Sequence, residues 1–298
     1  MNTTKLLEFF DARRDRGEPL VLVTVFETEG STYSKAGAQM LVDQGGVFRG
    51  MLSGGCLEGD LAVRAQQVLE GGEPQIVTYD LGQDDELWGM GVGCDGLMRM
   101  VLLPLLPADN YAPFARIAEV MRGDKRQEMT LQVGADELQE LTILVEPPPQ
   151  ILVLGAGLDA EPVVRFAAEL GWRCTVVDHR PAYLEAGDFA AATAKHCMPA
   201  AELAGTLDLD RYAAAIVMSH HLASDRTYLE QLAATDMIYI GLLGPIHRRD
   251  RLLSELGDAG ASLEARLHGP AGLDIGGRGP APIALSIVAE IQQELSGS

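Results

Sequence analysis

The run ILVLGAGLDAEPVVRFAAELGWRCTVVDH, residues 151–179, reads as strand, glycine turn, helix and second strand in immediate succession. Ile151–Leu154 is continuously apolar, Pro162–Leu170 has helical spacing, and Arg173–Val177 is apolar and rich in β-branched residues. The turn Gly155-Ala156-Gly157-Leu158-Asp159-Ala160 satisfies G-x-G-x-x-A. In that pattern the first glycine serves the tight turn, the second lets a phosphate approach the backbone, and the alanine permits close helix packing. Free amides at the start of the helix favour an anion. Asp178 stands 21 residues beyond Gly157, where an acceptor for a ribose hydroxyl belongs. Gly155, Gly157, Ala160 and Asp178 are therefore candidate ligand residues for a nucleotide-type group. The alternative is a Rossmann shape that keeps its glycines for the turn and binds nothing.

The same alternation continues downstream. Ala213–Met218 and Met237–Ile240 are expected buried strands, separated by a helix over Asp225–Ala234, and a last helix covers Ile283–Leu295. Runs without inside–outside alternation suit a parallel sheet covered on both faces, so residues 150–298 are expected to form a doubly wound, Rossmann-like domain. Ligands of such sheets gather beyond the carboxyl ends of the strands. That rule adds His220 and His221 after one strand, and Gly241 and Gly244 after the next, as crevice candidates; the alternative is that the histidines serve as loop hydrogen bonders and the glycines only shape the turn.

Upstream, Glu146-Pro147-Pro148-Pro149 reads as a semi-rigid spacer, with Pro147–Pro149 as the linker between domains. Residues 1–146 are expected to form a smaller α+β domain. Its strands fall at Leu20–Phe26, Gln39–Val42, Val47–Leu52, Gln75–Tyr79, Leu97–Leu103, Met129–Val133 and Leu141–Val145. Helices are expected over Leu57–Glu70 and Tyr111–Arg122. Two glycine-rich loops here each hold one thiol: Ser53-Gly54-Gly55-Cys56, leading into a helix, and Gly91–Gly96, which contains Cys94. A thiol at a helix amino terminus gains thiolate character and with it affinity for a soft metal, although Glu58 and Asp60 offset the field. Ser53, Gly54, Gly55, Cys56 and Cys94 are thus candidates for a bulky ligand, set against the plain alternative of two cysteines in tight turns. Cys174, within a strand, is expected in the core.

Composition excludes several classes. With 43 acidic and 23 basic residues the net charge is −20, which opposes gripping a nucleic-acid backbone or an anionic membrane face. Residues 1–149 carry 12 bases and 24 acids and the remainder 11 and 19, so the acidity is a general solvated surface. Four cysteines without a C-x-x-C pair fit neither a disulfide scaffold nor a closed zinc site, and point to a reducing compartment. Met1–Phe10 lacks the apolar run of an export signal, and no window approaches a membrane span. A cytoplasmic location is expected.

Ordered motifs along nearly the whole chain resemble the XdhC/CoxI family. They are GSTYSKAGAQM (Gly30–Met40), SGGCLE (Ser53–Glu58), YDL with DDELWGMGVGCDG (within Tyr79–Gly96), VLGAGLDA (Val153–Ala160), GWRCTVVDHRP (Gly171–Pro181), VMSHHL (Val217–Leu222), YIGLLGP (Tyr239–Pro245) and GLDIGGR (Gly272–Arg278). The chain departs from the family pattern at Tyr33-Ser34, where Pro-Arg is frequent, and at Gly279, where a capping Thr is frequent.

The resemblance implies an accessory protein for molybdenum hydroxylases such as xanthine dehydrogenase. Such a chaperone binds the molybdenum cofactor, an anionic pterin that is nucleotide-extended in some enzymes. It protects the cofactor while its sulfido ligand is installed, and assists insertion. Implied partners are the apo molybdenum hydroxylase and the cofactor's biosynthesis and sulfuration proteins, with a homo-oligomer expected. Cys56 and Cys94 would face the molybdenum end, and Gly155, Gly157 and Asp178 the phosphate or nucleotide end. The competing expectation is an NAD(P)-dependent oxidoreductase, for which His220 and His221 are the sole acid–base groups at the rim; a third is a pure interaction module.

Overall fold

The computed structural model describes residues 2–81, 96–133 and 139–297. Cys94 lies outside them. The chain divides into two compact units, Met1–Pro147 and Pro148–Ser298.

The first unit is built on a five-stranded antiparallel sheet. Its strands are β1 (Leu20–Glu29), β2 (Gln39–Asp43), β3 (Phe48–Arg49), β4 (Gln75–Asp80) and β5 (Leu97–Leu105), in the order β3-β2-β1-β5-β4. Alternation along central β1 explains the layers. Val21, Val23 and Val25 pack with Leu57, Leu61, Ala65 and Val68 at helix α2 (Glu58–Gly71). Leu20 and Leu22 point to the opposite face, into a core shared with α1 (Thr3–Arg14) and α3 (Phe114–Arg122). A separate hairpin of β6 (Gln127–Val133) and β7 (Gln139–Val145) adds Met129, Leu131, Ile143 and Val145 to that second core. The expected strand over Val47–Leu52 is only two residues long, because Gly50 adopts φ +98° and turns the chain away after Arg49. The expected helix from Tyr111 starts at Phe114, since Asn110 and Tyr111 both have positive φ.

The second unit contains a six-stranded parallel sheet of β8 (Gln150–Leu154), β9 (Arg173–Asp178), β10 (Ala194–Cys197), β11 (Ala214–Val217), β12 (Tyr239–Leu242) and β13 (Leu267–His268). Spatial order is β10-β9-β8-β11-β12-β13, the 3-2-1-4-5-6 arrangement of a dinucleotide-binding sheet. One face is covered by α4 (Ala160–Glu169) and α10 (Pro280–Gly297) through Val163, Val164, Ala167, Ile287 and Ile291. The other is covered by α7 (Leu222–Leu232), α8 (Ile246–Leu256) and the short α6 (Leu203–Thr206) and α9 (Asp258–Leu263), through Leu203, Tyr228, Leu229, Leu232, Leu252 and Leu263. Strand order reverses between β8 and β11, which opens the crevice where such sheets bind ligands. The small α5 (Pro181–Ala186) follows β9. No helix among the described residues is long and apolar enough to cross a membrane.

Candidate functional site

The rim beyond the carboxyl ends of the parallel strands collects most of the expected residues. Gly155 ends β8 with φ +126°, and a Cβ there would run into the carbonyl oxygen of Met218. Only glycine allows the β8 and β11 loops to meet so closely at the switch point. Ala160 is fully buried at the first turn of α4.

Asp178 is placed at the loop but is not presented to a ligand. Its carboxylate is 1% exposed and accepts from the Ala156 amide (2.8 Å) and the Arg180 amide (2.9 Å). The Arg180 guanidinium closes on the same two oxygens, Nε on Oδ1 at 2.9 Å and Nη2 on Oδ2 at 2.7 Å. Burial opposes the charge, but these donors outweigh it and hold the carboxyl below its ordinary range. Asp178 thus fixes the glycine turn and Arg180. A second carboxylate lies over the turn: Asp159 Oδ1 would be 2.6 Å from a Cβ on Gly157, and Asp159 Oδ2 is 2.7 Å from Nε2 of His220. The face offered to a phosphate is shared with an Asp159–His220 pair. His220 itself has φ +58°, a left-handed conformation that few non-glycine residues adopt. Asp159 sits at the variable position before Ala160, and only the fold brings it to His220.

His221 has a different role. Its Nδ1 caps α7, receiving the Ser224 amide at 3.3 Å and lying 2.9 Å from Ser224 Oγ. Beneath it, buried Asp225 receives the Ser219 hydroxyl and Arg248 Nη2. Ser219, His221 and Asp225 resemble a nucleophile triad in sequence only: the hydroxyl is buried on the carboxylate while the imidazole faces Ser224. Two polar atoms in this layer are buried without a hydrogen-bond partner, the Tyr228 hydroxyl and Arg248 Nε. Burial first, then the Asp178 and Asp225 charges, push the Tyr228 hydroxyl up to about 12.

Gly241 corrects the sequence expectation. The strand runs to Leu242, so Gly241 lies inside β12, where a Cβ would meet the Tyr239 hydroxyl at 2.8 Å and Ala271 at 3.1 Å. It is a packing glycine. Gly244 does reach the rim, with φ +137° and the Arg248 side chain against it.

A cavity of about 540 Å³ opens beside Gly244, between the segment after β12 and residues 270–277, in the GLDIGGR run. Glu290 of α10 ties this loop down, accepting from the Gly272 amide (2.7 Å) and the Tyr239 hydroxyl (2.7 Å). GLDIGGR is visible as a motif, but its glycines give no hint that a wall from α10 closes a cavity around them.

In the first unit the Ser53–Cys56 loop is organised around one acid. Glu58, 1% exposed, receives the amides of Leu52 (2.7 Å), Ser53 (2.8 Å) and Gly55 (2.9 Å) together with the Ser53 hydroxyl. Despite the cost of burial, these donors hold its carboxyl below the ordinary range. The Ser53 oxygen in turn accepts from Leu57 N–H (2.7 Å). The amides expected to serve a ligand are therefore filled by the protein's own carboxylate. Gly54 packs against the exposed ring of Tyr33, and Cys56 is half-buried. Cys174 is buried in the core, its thiol pushed up to about 12 by burial. Among the described residues no group of three or more His, Cys, Asp or Glu side chains is placed to hold a metal ion.

The XdhC Rossmann domain family matches residues 151–291, and the XdhC and CoxI family matches residues 13–80. A Bacillus subtilis protein named as a probable xanthine dehydrogenase subunit is 30% identical, covering 95% of each chain. The Escherichia coli molybdenum cofactor insertion chaperone PaoD is 24% identical over 92% of this chain and 83% of its own. A crystal structure described as a xanthine dehydrogenase from Bacillus halodurans superposes with a TM-score of 0.83 at 29% identity, covering 100% of this chain and 96% of that one. With a five-stranded antiparallel unit followed along the chain by a parallel 3-2-1-4-5-6 sheet, and these similarities along its length, the chain belongs to the XdhC and CoxI family.

Proposed function

We propose that this protein carries the molybdenum cofactor as cargo, shields it during sulfuration and delivers it to a molybdenum hydroxylase of the xanthine dehydrogenase type. The observation that supports it most is the similarity to a named cofactor insertion chaperone over 92% of the chain. The rim chemistry agrees with a carrier. His221 is spent on a helix cap, Ser219 on Asp225 and Asp178 on the glycine turn, so each of these three groups is held by the protein's own hydrogen bonds. The same use of Asp178 removes the main support for an NAD(P) oxidoreductase. A cytoplasmic site of action fits the free cysteines among the described residues.

Cargo contacts are proposed at two places. Gly155, Gly157, Gly244 and the guanidinium of Arg180 suit the phosphate or nucleotide end; the half-buried Cys56, with Cys94, suits the metal end. The test incubates the purified full chain with molybdenum cofactor and separates bound from free by gel filtration, reading pterin fluorescence after oxidation. Wild type is expected to co-elute with cofactor, and failure to do so rejects the proposal. Cys56→Ala and Cys94→Ala are expected to retain less; unchanged retention in both removes the thiols from the site.

A further inference from the structure

The cavity beside Gly244 combines features that specify a ligand chemistry. Its walls are proline rings and apolar side chains, among them Pro245, Pro270, Pro282, Leu243 and Ile283, with backbone exposed at Gly272, Gly276 and Gly277. All three glycines have positive φ, so no Cβ narrows the space on their side. The Glu290 contacts and a hydrogen bond from Leu273 N–H to the Ser286 carbonyl (3.2 Å) fix the base of the loop. The cavity is thereby held open by the protein itself. At about 540 Å³ it has the size of a small-molecule site.

Asp274 is the charged residue in this lining. It is exposed at the cavity, and its carboxylate makes no hydrogen bond or ion pair within the described residues. Every other acid singled out above, Glu58, Asp159, Asp178, Asp225 and Glu290, is engaged by donors. Apolar walls suit the faces of a ring, and an unpartnered carboxylate in the lining suits two parallel N–H donors on that ring.

We propose that this cavity binds a 2-amino-pyrimidin-4-one ring, with Asp274 accepting from the exocyclic amino group and the adjacent ring N–H. Pterins and guanine share that edge. The choice of a pterin rests on the cofactor-carrier reading; the recognition chemistry does not. A bare ammonium would leave the proline and glycine walls without a role.

The full chain is titrated into 6-hydroxymethylpterin and followed by the pterin's fluorescence anisotropy, with GMP and 6-hydroxymethyl-lumazine, which has an oxo group in place of the 2-amino group, as competitors. Wild type is expected to bind the pterin, and lumazine to compete at least tenfold more weakly. Asp274→Asn is expected to bind the pterin at least tenfold more weakly while melting at the wild-type temperature. Equal competition by lumazine, an unaffected Asp274→Asn, or binding of neither pterin nor GMP overturns the proposal. Binding of GMP alone supports the ring chemistry and assigns the cavity to a nucleotide base. Because isolated rings are used, loss of cofactor retention with pterin binding intact counts against the carrier reading alone. Retained cofactor with no ring binding counts against the cavity alone.

Discussion

Glu58 and Asp178 show how much of each glycine loop is organised by a buried acid. The sequence displays SGGCLE and GAGLDA as open backbone, but in both places the amides turn to a carboxylate of the same chain. Neither contact is readable in advance, because glycine turns and nearby acids are compatible with many loop paths and only one points the acid inward. Removing Glu58 leaves three loop amides and the Ser53 hydroxyl without their acceptor. Glu58→Ala is expected to lower unfolding free energy by about 3 kcal/mol, the scale of hydrogen bonds to a buried charge, as measured by urea titration at pH 7. The pH dependence carries a definite sign. Glu58 is held below its ordinary value in the folded state, so its stabilisation is complete above the ordinary carboxylate range and is lost as pH falls through the lower folded value. The difference between wild type and Glu58→Ala should therefore stay constant from pH 7 to about 5 and shrink below about pH 4. A constant difference down to pH 2 would show that the loop does not depend on the charge.

Among the elements, the parallel strands are the most legible. Uninterrupted apolar runs locate β8, β9, β11 and β12 within two or three residues of their ends. What they miss is the detail that sets the rim. Ending β12 at Ile240 puts Gly241 among the crevice residues, whereas the ladder continues to Leu242, paired with Val217. Periodicity does not mark the last ladder bond of a strand whose following residues, here Leu242 and Leu243, are also apolar. α1 has no counterpart among the expected helices, although Leu6, Phe9 and Phe10 have helical spacing and are buried. The Asp159–His220 contact joins loops 61 residues apart and has no local signal. The junction of the β8 and β11 loops can be tested at Gly155. An alanine there must tolerate φ +126° and a methyl group overlapping the Met218 oxygen, so one of the two loops has to move. Gly155→Ala is expected to cost about 3 kcal/mol by urea unfolding, from backbone strain and overpacking together. Gly157 has no positive φ, and the nearest obstacle to a Cβ there is the movable Asp159 carboxylate. Gly157→Ala should cost under about 1 kcal/mol on the same assay. Equal losses at the two positions would contradict this difference.

At the scale of the molecule, each unit has the means to fold by itself. In the first unit, both faces of the antiparallel sheet are covered by cores drawn from residues before Pro147. In the second, both faces of the parallel sheet are covered by cores drawn from residues after Pro148. A sheet closed on both faces by its own helices does not need a neighbour to bury its apolar surface. A fragment of residues 148–298 is therefore proposed to be an independent domain. Expressed alone, it is expected to show the circular dichroism of a mixed α/β fold and a single cooperative urea transition. Its denaturant slope should be about half the value for the intact chain unfolding in one step, because the slope scales with the surface exposed. Non-cooperative unfolding of the fragment, or recovery only when residues 1–147 are added in trans, would mean that the proline run is not a true boundary. If the fragment folds, the ring-binding cavity and its Asp274 travel with it, since the lining runs only from Leu243 to Ser286. The fragment should then bind pterin as the intact chain does. Cofactor retention should fall if Cys56 or Cys94 also holds the cargo, because both lie outside the fragment.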